Sequence, residues 1–144
     1  MVASPYVAQK TKEGAVVTHF GVSIRTGYLN PPLALVVTEK CLIRYRLKQD
    51  APAPLQLMLL THQPNGGFGG NFECKIGSDE LRPDADGWCE LEIPLNRFKP
   101  VDRRPHVRAQ HPTPAGNIVA SFLLSSFKQD TGLTVAHFEL STLP

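Results

Sequence analysis

The sequence predicts an all-β chain folded as a two-sheet antiparallel β-sandwich of about eight strands, with jelly-roll connections. Three observations carry this reading. Segments alternate apolar and polar residues with a period of two; prolines and glycines, 13 and 11 of the 144 residues, interrupt them at short intervals; and no stretch outside turns carries an apolar stripe of helical period. Short strands with frequent turn signals are the pattern of sandwiches and jelly rolls.

Taken in order, residues 1–14 show no sustained alternation and read as an irregular N-terminal arm. Ala15–Arg25 sets Val16, Thr18, Phe20, Val22 and Ile24 against His19, Gly21, Ser23 and Arg25, as one half-buried strand requires. A turn at Gly27–Pro32 leads into a strand at Leu33–Thr38. Cys41–Lys48 places Cys41, Ile43, Tyr45 and Leu47 inward, with Leu42, Arg44, Arg46 and Lys48 outward. Asp50–Pro54 then breaks the ladder, because proline has no N–H to donate.

Leu55–His62 and Ile118–Phe127 are apolar on both parities, which predicts interior strands covered on both faces or nearly so. Between them, Asn65–Asn71 reads as a glycine loop, and Asn71–Gly77 and Trp88–Ile93 as a hairpin across a charged turn. Trp88 differs in parity from Cys89, Leu91 and Ile93, so a bulge or a neighbouring loop is expected to pack it. Leu133–Leu140 closes the domain. No repeat or linker divides the chain, and 1–144 reads as one domain.

Composition excludes several functions. A net charge of +2, from 15 basic and 13 acidic residues, lacks the basic footprint of a nucleic-acid binder. No apolar run has the length of a secretory leader or a membrane span, and the compartment stays open. Three cysteines without a CxxC spacing argue against a zinc site or a disulfide scaffold. Cys74 alternates with Phe72 and Ile76, and Cys89 with Leu91 and Ile93, so buried free thiols are expected. The alternative is a Cys74–Cys89 disulfide across adjacent strands, which would place the chain in an oxidising compartment.

Catalysis finds no support in the residues. The inward cysteines have no histidine on their strands to activate them, and Glu73, Glu90 and Glu92 fall at outward positions that are ordinarily solvated, so a hydrolase reading is left only if Glu73 and Glu92 share a face. The glycine loop lacks the Lys-Ser/Thr and following helix of a phosphate cradle. Phe68, isolated among four glycines, is either a recognition group at a loop tip or a lid folded back on the sandwich.

Lys99–Gly116 is the longest irregular segment and too rich in proline to join a sheet. Its Arg103, Arg104 and Arg108, with His106 and His111, suit a carboxylate or phosphate partner, unless the segment is only a solvated crossover. The two histidines have no fixed geometry for a metal. Asp84-Ala85-Asp86-Gly87 lacks the remaining ligands of a calcium loop and reads as a turn. No cofactor is expected, with a structural calcium elsewhere in the fold left open.

A family resemblance rests on an ordered series of residues: Tyr45-Arg46-Leu47, Leu57–Thr61, Gly70-Asn71-Phe72-Glu73, Gly87-Trp88 running into Ile93-Pro94-Leu95 and Phe98, Gly116-Asn117, and Asp130 with Gly132-Leu133. Over roughly residues 41–140 this series resembles the galactose-binding-like jelly rolls, especially carbohydrate-binding modules and domains of the complex-I-intermediate-associated-protein-30 type. The resemblance implies a non-catalytic module that meets its ligand at loop tips or on one sheet face. Carbohydrate or glycan is the first ligand class. A protein interaction or assembly role through the loop 99–116 is the second. The residues expected to meet a ligand are Phe68, Asn71, Trp88, Arg103, Arg104 and Arg108.

Overall fold

The computed structural model describes residues 2–3, 9–10, 16–17, 21–25, 35–101, 113–126 and 131–142. They form two antiparallel sheets and almost no helix. The strands are β1 (Val2–Ala3), β2 (Gln9–Lys10), β3 (Val16–Val17), β4 (Gly21–Arg25), β5 (Leu35–Val36), β6 (Cys41–Lys48), β7 (Leu55–His62), β8 (Phe68–Ile76), β9 (Trp88–Pro94), β10 (Lys99–Pro100), β11 (Ile118–Ser125) and β12 (Thr134–Thr142). The larger sheet runs β1-β4-β11-β7-β8-β10, with β5 also on β11; the smaller runs β2-β3-β12-β6-β9. The chain passes repeatedly from one sheet to the other, as in a jelly roll.

Alternation built this arrangement. Ile43, Tyr45 and Leu47 of β6, Leu55, Leu57 and Leu59 of β7, Phe72, Cys74 and Ile76 of β8, and Cys89, Leu91 and Ile93 of β9 are all buried in one shared core between the sheets. Each such side chain withdrawn from water stabilises the sandwich by about 1.5–3 kcal/mol. Phe122 and Tyr45 meet across the core through Phe138, at ring-centroid distances of 5.2 and 5.1 Å. All three cysteines are buried free thiols.

Several expectations are corrected. Within the expected strand Ala15–Arg25, Val16–Val17 pairs with β12 in the smaller sheet, whereas Gly21–Arg25 pairs with β11 in the larger one. A common parity therefore concealed a change of sheet. The expected hairpin of Asn71–Gly77 with Trp88–Ile93 is absent: β8 pairs with β7 and β10, and β9 pairs with β6. Cys74 and Cys89 accordingly lie on facing sheets and not on adjacent strands. Part of the expected N-terminal arm is paired, Val2–Ala3 with β4 and Gln9–Lys10 with β3.

Both apolar strands are interior in the larger sheet, as expected, and their second faces are mostly half-buried rather than fully covered. β7 alternates strictly between buried and half-buried residues, because it is central in its sheet but has the core on one side only. Lys99–Pro100, within a segment expected to stay out of the sheets, extends the larger sheet opposite Glu73 and Phe72. Pro100 is tolerated there because β10 is a terminal strand in that order, where a missing N–H costs little.

Candidate functional site

The open face of the larger sheet is built by outward positions that alternate with the core. β7 supplies Gln56, Met58, Leu60 and His62, and β8 supplies Asn71 and Glu73, all half-buried. From β11 come Ile118, Leu123 and Ser125, half-buried as well. Backbone pairing places Met58 between Glu73 and Leu123, and Leu60 between Asn71 and Ser121. The Gln56 amide donates to Glu73 Oε2 at 2.6 Å, so this carboxylate is held in place.

At the hairpin end of the face one row crosses four strands. Phe68 of β8 pairs with His62 of β7, His62 with Ile118 of β11, and Ile118 with Val36 of β5. Three strand spacings make the row about 14 Å long. Its two ends, Val36 at 50% and Phe68 at 49%, are the exposed large hydrophobic residues among those described. His62 is oriented by the contact of Nδ1 with the Gln63 carbonyl at 2.9 Å.

Phe68 is thus neither a loose loop tip nor a lid folded inward, but the first residue of β8. The glycine loop is shorter than Asn65–Asn71, since Phe68–Gly70 already belong to the strand. A bulge then decides what Phe68 faces. Thr61 pairs with Gly70 and His62 with Phe68, so Gly69 is skipped in the register. One extra residue inverts the parity on one side of it, and Phe68 and Asn71, three apart, come to share the outer face. Uninterrupted alternation would put two residues three apart on opposite faces.

Trp88 is elsewhere. It is half-buried on the outer face of the smaller sheet, opposite Lys48. The Arg46 guanidinium lies 5.0 Å and the Lys48 ammonium 5.8 Å from its ring centroid, and Asp84 Oδ1 accepts its backbone N–H at 2.9 Å. Asp84 also accepts from the Asp86 N–H at 2.9 Å, and these backbone bonds, the Trp88 one first, hold its carboxyl below the usual carboxylate range. This is the turn that the sequence suggested. The rest of that face is a charge ladder, with Arg46 on Glu90 at 2.6 Å and Arg44 between Glu92 at 3.0 Å and Glu139 at 3.2 Å. Trp88 is packed by cationic neighbours on a surface, not by the core, and it does not join Phe68 and Asn71.

Beside β10 a shallow cavity of about 370 Å³ is lined by Glu73, Cys74, Lys75, Arg97 and Lys99. Its guanidinium is committed, since Arg97 bonds Glu80 Oε1 at 2.6 Å and the Lys75 carbonyl at 3.1 Å. Arg103, Arg104 and Arg108, with His106 and His111, lie outside the described residues.

Sequence reasoning missed the outer row of β7 and Ile118. Their signal was present in the second, outward set of apolar residues on Leu55–His62, which was read as a covered face. Chemically, the surface offers an aromatic ring, aliphatic side chains and amide, carboxylate and imidazole groups, which is the equipment for binding a molecule with both apolar and hydroxylated faces. Among the described residues no helix is long and apolar enough to cross a membrane.

Solved structures share this fold. The family 11 carbohydrate-binding module of the cellulosomal cellulase Lic26A-Cel5E of Clostridium thermocellum superposes with a TM-score of 0.59 at 18% identity, over 95% of this chain and 80% of that one. A solution structure of CtCBM11 gives 0.65 at 17% identity, over 96% and 81%. The Clostridium thermocellum module in complex with a β-1,3-1,4-mixed-linked tetrasaccharide gives 0.57 at 18% identity, over 94% and 78%. Likeness at this level of identity establishes the jelly-roll fold and nothing finer. No protein-family model and no curated protein matches the chain.

Proposed function

We propose that the protein is a non-catalytic carbohydrate-binding module whose glycan lies on the open face of the larger sheet. The observation that carries this reading is the exposed Phe68, fixed as the first residue of a strand and sharing its face with Asn71. A pyranose ring presents axial C–H groups that pack on an aromatic plane, while its equatorial hydroxyls need donors and acceptors at the edge. Phe68 supplies the plane; Asn71, Gln56 and Glu73 supply the polar partners, and Met58 and Leu60 exclude water between them. The family 11 carbohydrate-binding modules among the structural neighbours support the same class. Trp88 stands on the outer face of the smaller sheet and is outside the proposed site.

Isothermal titration with the mixed-linked β-1,3-1,4 tetrasaccharide, run beside a glycan array, tests the proposal. Phe68→Ala is expected to weaken binding about tenfold or more, as loss of a central aromatic anchor does, with an unchanged melting temperature. If no glycan binds, or if one binds Phe68→Ala as tightly as the parent chain, the reading is wrong.

A further inference from the structure

A residue buried beneath the row bonds to a chain neighbour of each other member of the row. Asn117 is 4% exposed and immediately precedes Ile118. Its side-chain Nδ2 donates both hydrogens, to the Gly69 carbonyl at 2.9 Å and to Thr61 Oγ1 at 3.1 Å. Its own carbonyl accepts the Val37 N–H at 2.9 Å. Gly69 follows Phe68, Thr61 precedes His62, and Val37 follows Val36. One asparagine therefore holds the chain neighbours of three members of the row and is the neighbour of the fourth.

The bulge depends on this arrangement. The Gly69 carbonyl belongs to the residue skipped in the register, so without Asn117 it would be buried without that donor, a cost that native structures avoid. Thr61 Oγ1 completes the cluster by donating to the Gly70 carbonyl at 2.7 Å. No side chain fits at position 69: a Cβ there would lie 2.7 Å from Thr61 Oγ1 and 2.9 Å from both Asn117 Nδ2 and the His62 carbonyl carbon. Asparagine is required for its two donors. Aspartate would set acceptor against acceptor at Gly69 and oppose the hydroxyl of Thr61, which already donates elsewhere.

We infer that Asn117 is a positioning residue: through the Thr61–Gly69 bulge it places Phe68 and Asn71 on one face and spaces Phe68 from His62, Ile118 and Val36. The inference deepens the carbohydrate reading and rests on it only for the ligand. Its primary readout is therefore independent of any sugar.

Backbone amide hydrogen exchange on the full chain, compared for the parent, Asn117→Asp, Gly69→Ala and the milder Thr61→Val and Thr61→Ser, tests it. In the disrupting variants exchange at Phe68–Asn71 and His62 is expected to accelerate at least tenfold, with β6 and β9 in the facing sheet unchanged. Thr61→Ser, which keeps the hydroxyl, restores protection. Affinity for the mixed-linked tetrasaccharide falls in parallel, at least tenfold. Parental protection at Phe68–Asn71 in Thr61→Val and Gly69→Ala would overturn the inference, as would uniform acceleration across both sheets, which marks Asn117 as merely structural. If Asn117→Asp does not fold, the Thr61 pair decides alone. If the parent binds no glycan, the carbohydrate reading fails while the exchange result still judges the positioning role of Asn117.

Discussion

Replacing Trp88 with alanine separates the two faces of the sandwich. From alternation alone, a packed tryptophan at the start of a core strand is expected to cost about 3–5 kcal/mol when truncated. The structure lowers that figure. Trp88 is half-buried on the outer face, so its removal leaves a surface notch that water fills, and the cavity contribution to the cost disappears. What remains is the pair of cation contacts from Arg46 and Lys48, at about 0.5–1 kcal/mol each for exposed sites, together with partial loss of cross-strand packing. The sum is about 1–3 kcal/mol, and a melting point roughly 2–12 °C lower for a domain of this size. Urea unfolding of Trp88→Ala beside Leu91→Ala, the buried neighbour on the same strand, measures it; Leu91→Ala should cost about 2–5 kcal/mol. Equal losses would show that the indole is part of the core. Loss of glycan binding by a stable Trp88→Ala would move the site to the smaller sheet.

The remaining expectations concern groups in the core. Burial pushes the Cys74 and Cys89 thiols up from their ordinary values, and together with buried Cys41 they should resist a thiol reagent in native protein and react fully in denaturant; a titre below three in denaturant without reductant would contradict the free thiols. Burial also pushes the Tyr45 phenol far above its ordinary 10.0. A group whose folded pKa is raised contributes stability that is complete below its unfolded pKa and declines as pH rises above it. Stability should therefore fall progressively above about pH 10, and Tyr45→Phe should flatten that fall, as urea midpoints at pH 8 to 11 would reveal; a parallel decline in both proteins would refute the assignment.

How much of this was legible in the sequence depended on whether the information was local. β6 and β7 carry their limits in their own residues, because alternation ends at Asp50–Pro54 and at the glycines after His62. The inward face of β6 was read correctly for the same reason. Pairing is not local. Nothing within Trp88–Pro94 states that Arg46, some forty residues earlier, is its neighbour, so proximity in sequence suggested β8 as the partner. The site was half visible: Phe68 and Asn71 stood out as residues, but their common face required a bulge. Its trace was a pair of polar residues: Thr61, at an inward position that follows Leu55, Leu57 and Leu59, and Asn117, between Gly116 and the start of β11.

The charge ladder on the smaller sheet has a consequence for self-association. Among the described residues β9 ends its sheet, and a strand end of this kind invites a second copy to add its own. Glu90 and Glu92 stand along it with their cationic partners, Arg46 and Arg44, set back on β6. Two such edges meeting antiparallel would set carboxylates against carboxylates whose arginines are already committed within each copy. Pairs worth little to the stability of one molecule thereby act between molecules, keeping one edge from becoming a template for a continuous sheet while the opposite face stays free to bind.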